Sequence, residues 1–424
     1  MKRRLFIALF LGLNIIICLC ILSCSENNHY SSSSQTPTII ATSSPTDSLI
    51  TCTPSTEAPV SASPVPTSTP SPSPSPQTAR IVMIGDMLMH DGVINSGLSN
   101  GKYNFDHLFT NISEEILGAD IAIVNQEVII AGPDYEISGY PRFNSPLELA
   151  NSISKAGFDI VLHASNHPLD KGKDAALYCL SYWQSNFPHI DVLGIHETEE
   201  DAKEITVREI NGIKLAFLNY TFDVNASLKP ILQQTPYLVD TLNEEKVRRD
   251  IANAELLADA TIVAVHWGTE YTHKVSDDQQ KWAKIFLECG VDLVLGTHPH
   301  VIQPVEWLES SDGRRMLVYW SLGNFVNCTS GRGSGKGARM LGAMSDVTFT
   351  KNEKGATTIS TAVAHSLITH IDYSEYGITT YLFNEYTQEL FSQNKTKEID
   401  PDFSYQFCVN TFETVLGDFL AVSP

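Results

Sequence analysis

Ile81-Val82-Met83-Ile84-Gly85-Asp86 decides how the rest of the chain is read. Four apolar residues run straight into Gly-Asp, which is the form of a buried strand that empties into a loop. The form recurs at 121–124 before Asn125-Gln126-Glu127, and at 160–162 before the segment from His163 to His167. It returns at 261–265 before His266-Trp267-Gly268, and at 293–295 before the segment from Gly296 to His300. Helical periodicity fills intervals between them, at 145–155, 173–184, 244–257 and 278–289. Strand and helix alternating at these lengths predict an α/β fold. Every polar cluster falls at the end of an apolar strand, the edge at which open α/β sheets bind ligands.

Downstream, residues 316–320, 343–350 and 358–364 read as further strands. Their polar–apolar alternation predicts antiparallel pairing with one face covered. One domain is expected over 79–375, followed by a C-terminal extension, 376–424, of loops and a terminal helix packed on it.

Upstream, Lys2, Arg3 and Arg4 precede an apolar run over 5–22 that ends in Ile21-Leu22-Ser23-Cys24. This order resembles the bacterial lipobox, which makes 1–24 a lipoprotein signal peptide and Cys24 the lipidated residue. A retained helix is the alternative, since ~18 apolar residues can just span a bilayer. Either way the remainder is expected outside the cytoplasm, anchored to the cell membrane. Residues 25–78 are Ser, Thr and Pro without apolar periodicity, so a disordered tether is expected there.

The chain has 424 residues, of which 42% are hydrophobic, as befits a folded protein and not a polytopic membrane protein. Its net charge of -21 argues against a nucleic-acid partner, because a polyanion would be repelled. Eight scattered Cys without a C-x-x-C pair exclude a disulfide scaffold and a thiolate metal site.

The strand-end clusters supply Asp86, Glu127, Asn166, His167, His266, His298 and His300. Carboxylate, amide oxygen and imidazole together suit a divalent first-row ion such as Mn, Zn or Fe. An extended segment would point His298 and His300 the same way, with Pro299 stiffening the turn between them. Any one of these His, taken singly, is equally a satisfied core or surface residue.

Six ordered motifs carry a resemblance over about 80–370. They are Gly85-Asp86-Met87-Leu88-Met89-His90, Asn125-Gln126-Glu127, Ser165-Asn166-His167-Pro168-Leu169-Asp170-Lys171-Gly172, His266-Trp267-Gly268-Thr269-Glu270-Tyr271, Gly296-Thr297-His298-Pro299-His300-Val301-Ile302-Gln303 and Ser321-Leu322-Gly323-Asn324-Phe325. Together they resemble the CapA family of bacterial capsule and poly-γ-glutamate biosynthesis, within the calcineurin-like metallophosphoesterase superfamily. The resemblance implies a four-layer α/β sandwich of two mixed sheets flanked by helices, with two divalent metal ions at the strand ends. It implies that Asp86 and His300 hold one ion, that Asn166, His266 and His298 hold the other, and that Glu127 bridges them. The superfamily's Asp-x-His motif is broken here by Leu88; His90 either reaches the metal or is a solvated loop residue. His163 is expected in the pocket wall.

Two metals would activate a water and clamp the oxygens of an in-line displacement. His167 would then protonate the leaving oxygen, and Asp170 would either orient that ring or cap the helix that follows. Trp267 and Tyr271 either wall the site or stack on substrate. Gly268 and Gly323 read as tight-turn residues, and Asn324 as a brace for its loop. Arg142 and Lys171 are candidate counter-charges for an anionic polymer, and equally plain surface charges. The resemblance thus implies a surface hydrolase acting on phosphoester or amide bonds of an anionic cell-envelope polymer. The alternatives are a non-catalytic, membrane-anchored subunit that works with polymer synthase and export proteins around a structural metal, or a metal-dependent polymer-binding module.

Overall fold

The computed structural model describes residues 77–329, 331–372 and 377–421. The expected leader, Cys24 and the tether up to residue 76 lie outside the described residues. The last two residues assigned to the tether, Gln77 and Thr78, pair with Lys351 and Thr350 and so belong to the first sheet. No helix among the described residues is long and apolar enough to cross a membrane.

Two mixed sheets lie face to face. The first runs, edge to edge, Ile378–Leu382, Thr357–Ile371, Leu341–Lys351, Gln77–Met87, Ile121–Asn125, Ile160–Leu162 and Asp191–Leu193, with Asn324–Val326 also paired to Gln77–Met87. The second runs Ile302–Glu309, Arg315–Leu322, Leu293–Thr297, Ala260–His266, Ile213–Thr221 and Thr206–Ile210. Parallel pairing holds the four strands from Gln77–Met87 to Asp191–Leu193 and the four central strands of the second sheet.

Alternation along the first strand shows why both faces are covered. Ile81 and Met83 point inward and pack with Leu215, Ile262 and Leu295 of the other sheet. Val82 and Ile84 point outward, against Leu149, Ile153 and Leu180 of the helices Glu148–Ala156 and Lys173–Asn186. On the far side Val263, Val265 and Val294 pack under Val247, Ile251 and Phe286 from the helices Glu244–Leu257 and Asp277–Cys289. A strand buried on both faces reads as a continuous apolar run, and helices must close each outer face. The expected four-layer sandwich is the observed one.

The helices start where local chemistry starts them. Asn243 accepts the Lys246 N–H, while Ser276 and Gln279 form a reciprocal capping box whose helix ends at Gly290, φ 107°. Three features depart from expectation. Residues 316–320 pair antiparallel with Ile302–Glu309, as expected, but they also run parallel to Leu293–Thr297 in the second sheet and are buried on both faces. Ile378–Leu382 pairs with Thr357–Ile371, so the first sheet continues past residue 375. The strands at 191–193, 206–210, 213–221, 302–309 and 324–326 are not among those read from sequence.

Candidate metal centre

All the parallel strands of the two central runs point their C-terminal ends toward one rim, and the polar clusters converge there. Gly85 fits because a Cβ on it would lie 2.0 Å from the Gly323 carbonyl oxygen. That close approach lets the Asp86 N–H donate to Gly323 O at 2.9 Å and turns the carboxylate into the rim. Asp86 Oδ1 accepts from Asn125 Nδ2 at 2.7 Å, and Oδ2 accepts from the His298 N–H at 3.0 Å. His300 Nδ1 lies 3.2 Å from Asp86 Oδ2.

Glu127 occupies the middle. It is 0% exposed, and neither carboxylate oxygen has a hydrogen-bond partner among the described residues. Around its Oε1 stand His266 Nε2 at 3.8 Å, His300 Nε2 at 3.9 Å and His167 Nε2 at 4.0 Å. His266 Nε2 is also 3.0 Å from Asn166 Oδ1 and 3.1 Å from His298 Nδ1. Burial pushes the Glu127 carboxyl well above its ordinary range; His300 opposes this and Asp86 reinforces it. Burial and neighbouring imidazoles hold His266 and His298 well below theirs. At His300 burial pulls downward, but Glu127 and Asp86 outweigh it and push the ring up to about 9.

A buried carboxylate without a donor costs several kcal/mol on the order-of-magnitude scale unless something pairs with it. The donor set answers what would do so. Asp86, Glu127 and His266 bring ligand atoms within 4.8 Å of one another, and so do Glu270, His298 and His300. Oxygen and imidazole donors fit divalent first-row ions, and all four described cysteines are free and belong to neither group.

His298 and His300 converge by a route unlike the expected extended segment. Their φ angles are 96° and 57°, left-handed conformations that cost non-glycine residues about 1–3 kcal/mol. Their ring centroids are 5.8 Å apart. Tyr271, φ 64°, donates its N–H to Pro299 O at 2.7 Å and latches the loop carrying Glu270 onto this turn.

His167 faces the centre with Nε2 and is held behind. Its Nδ1 lies 2.8 Å from Asp170 Oδ2, and because a carboxylate only accepts, Nδ1 carries the proton of that bond. Asp170 also accepts the Phe143 N–H at 2.8 Å. It caps no helix: the following one starts at Lys173 with Gly172 at its N-cap.

A cavity of about 210 Å³ opens beside the centre, lined by Leu88, His90, Phe143, His167, His300 and Arg339 among others. His90 belongs to the cavity wall, with its ring 5.5 Å from Phe143, and burial lowers it to about 4. His163 lies in the core instead, buried near Cys179 Sγ at 3.6 Å. Trp267 is core as well, stacked on Trp320 and donating to its carbonyl at 3.0 Å. Tyr271 does line the cavity, whereas the exposed Arg142 and the half-buried Lys171 do not. Gly268 and Gly323 sit at φ 94° and 63°, the turn positions read from sequence. Asn324 braces its loop through His300 O and Arg339 O, and its Oδ1 also lies 3.1 Å from His300 Nδ1.

Sequence reasoning passed over Glu270, Asn225 and Arg339. Glu270 stands inside a quoted motif, four residues past His266, and that spacing was the available signal. Asn225, whose Oδ1 accepts from Asn166 Nδ2 at 3.4 Å and whose Nδ2 is 3.2 Å from His167 Nδ1, lies in a segment with no pattern.

Residues 80–329 match the family described as bacterial capsule synthesis protein PGA_cap. The capsule biosynthesis protein CapA of Bacillus anthracis is 27% identical over 256 residues, 58% of this chain and 59% of that protein. The PGA biosynthesis protein CapA of Bacillus subtilis (strain 168) is 29% identical over 180 residues, 42% of this chain and 45% of that protein. The chain thus spans about half the length of these curated relatives. Among solved structures, the Haemophilus influenzae NAD nucleotidase is similar at TM-score 0.41 and 11% identity, over 80% of this chain and 67% of that one.

Proposed function

The chain belongs to the bacterial capsule synthesis protein PGA_cap family, and on that premise we propose that it is a metal-dependent hydrolase of phosphoester or amide bonds in an anionic cell-envelope polymer. The observation that carries this reading is Glu127, a buried carboxylate with two unpartnered oxygens ringed by three imidazoles. Asp86, Glu127, Asn166, His266, His298 and His300 would hold two divalent ions, with Glu270 close enough to join His298 and His300. Bound divalent ions supply Lewis acidity and a nucleophile at neutral pH.

The chain's own residues supply the rest. Asp170 fixes the His167 ring through Nδ1 and keeps Nε2 turned toward the centre, where it would give a proton to the leaving oxygen. Phe143 stands edge-on to that ring at 4.9 Å and limits its motion. A purely structural metal site would need no such oriented, cavity-facing imidazole.

The N-terminal sequence supports an extracytoplasmic protein anchored through lipid at Cys24, placed to meet polymer and the synthase or export subunits that make it. Cys24→Ala should abolish fatty-acid labelling, and equal label in both proteins would refute the anchor. For the activity, metal analysis of the purified chain is paired with hydrolysis of aryl phosphate mono- and diesters. Metal with turnover supports the hydrolase, and metal without turnover on any envelope polymer moves the function to a non-catalytic subunit.

A further inference from the structure

We propose that Arg339, set on the face of Tyr271, is the substrate-binding residue of this cavity and takes an oxyanion of the part of the substrate that is not attacked. The proposal rests on the hydrolase reading for its setting, but its observations are separate. Arg339 Cζ lies 3.5 Å from the Tyr271 ring centroid, and that ring is in turn 5.8 Å from the His300 ring. Stacking uses the face of a guanidinium and leaves its edge of N–H donors available in plane.

Part of that edge has no partner among the described residues. Arg339 Nε is buried without a hydrogen-bond partner, and the guanidinium forms no ion pair among the described residues, although Glu270 lines the same cavity. A second unpartnered group lies in the same wall: Asn327 is 2% exposed, and its Oδ1 is buried without a hydrogen bond. Both residues line one cavity, and each keeps a buried polar atom without a hydrogen bond, which is costly in a protein that binds nothing there.

The position is built in from the metal side. Asn324 Nδ2 donates to Arg339 O at 2.8 Å and to His300 O at 3.1 Å, so one side chain sets both the short helix Gly337–Met340 and the metal-binding turn. Arg339 lies beyond the family match, which ends at 329, and it supplies at the cavity the local positive charge that Arg142 and Lys171 do not. In a chain of net charge -21 such a counter-charge is what an anionic substrate needs at short range. The guanidinium fork pairs with phosphate or carboxylate oxygens alike.

Calorimetric titration of the manganese-loaded full chain with inorganic phosphate, and separately with acetate, tests this. Arg339→Met should weaken binding about 10- to 100-fold, as loss of a charged hydrogen-bonding partner does, with metal content unchanged. Loss confined to phosphate identifies a phosphate oxyanion, and loss confined to acetate identifies a carboxylate. Arg339→Lys should recover affinity only in part, and Tyr271→Leu should weaken binding less than Arg339→Met. With turnover as the readout, KM should rise while kcat changes far less. Wild-type affinity in Arg339→Met, no binding of either anion by the wild type, or metal loss in both Arg339 variants overturns the proposal. Absent hydrolysis with Arg339-dependent anion binding would sink the hydrolase reading alone.

Discussion

At the edge where the strands begin, four aspartates each close a pair of hydrogen bonds with the neighbouring strand. Asp120 Oδ2 accepts the Arg80 N–H at 2.8 Å while Asp120 N donates to Arg80 O at 2.9 Å. Asp159 does the same with Ala122, Asp259 with Lys214 and Asp292 with Thr261. At the edge where the strands end, Asp86 and Glu127 face imidazoles, and the Glu127 carboxylate has no hydrogen bond among the described residues. The same chemical group accepts a backbone hydrogen bond at one rim and has no donor at Glu127 on the other. A carboxylate beside a free backbone N–H is satisfied by the fold, whereas one surrounded by groups that also want a metal awaits a ligand. Stability and function are thus segregated to opposite rims of one sandwich.

The sharpest way to break this contrast is Glu127→Gln. It should lose metal and turnover, yet the metal-free variant should melt no lower than metal-free wild type, because an amide costs less to bury than an unpartnered carboxylate. A lower melting temperature would mean that Glu127 is a structural residue. His167→Ala comes next. It should keep its metal and slow hydrolysis of an alkyl phosphate ester by ~10²–10⁴, with a smaller loss on a nitrophenyl ester whose leaving group needs no proton. Equal slowing of both esters, or metal loss, would remove His167 from the role of acid.

On the opposite rim the effects fall on stability. Burial raises the Asp292 carboxyl to about 7 although the Thr261 N–H opposes it. With the folded value above the unfolded one, its contribution is fully present below about pH 4 and is lost as pH rises through 7. Asp292→Asn should therefore match wild type near pH 4.5 and exceed it at pH 8, by on the order of 2–4 kcal/mol. Urea unfolding at the two pH values measures this, and a constant difference would refute it. Asp159→Ala should have the smallest effect, about 1 kcal/mol of stability with metal content untouched. Metal loss in that variant would show that the two rims are coupled.

Apolar runs of three to five residues ending in Gly, Asn or His determined the strands and the place of Asp86, Glu127 and His266 at their ends. That information is local, since a run buried on both faces must be apolar and must stop where the chain leaves the sheet. His167 and Asp170 were legible for the same reason, three residues apart in one loop. Other features depended on distant chain segments. Left-handed His298 and His300 are held by contacts to Asp86 and Asn324, and Arg339, whose carbonyl Asn324 binds, lines the cavity. The four aspartate staples join residues 31 to 45 positions apart, each needing two strands already in register. Periodicity within one segment reports which face is buried; only the closed sandwich decides which charges meet across it.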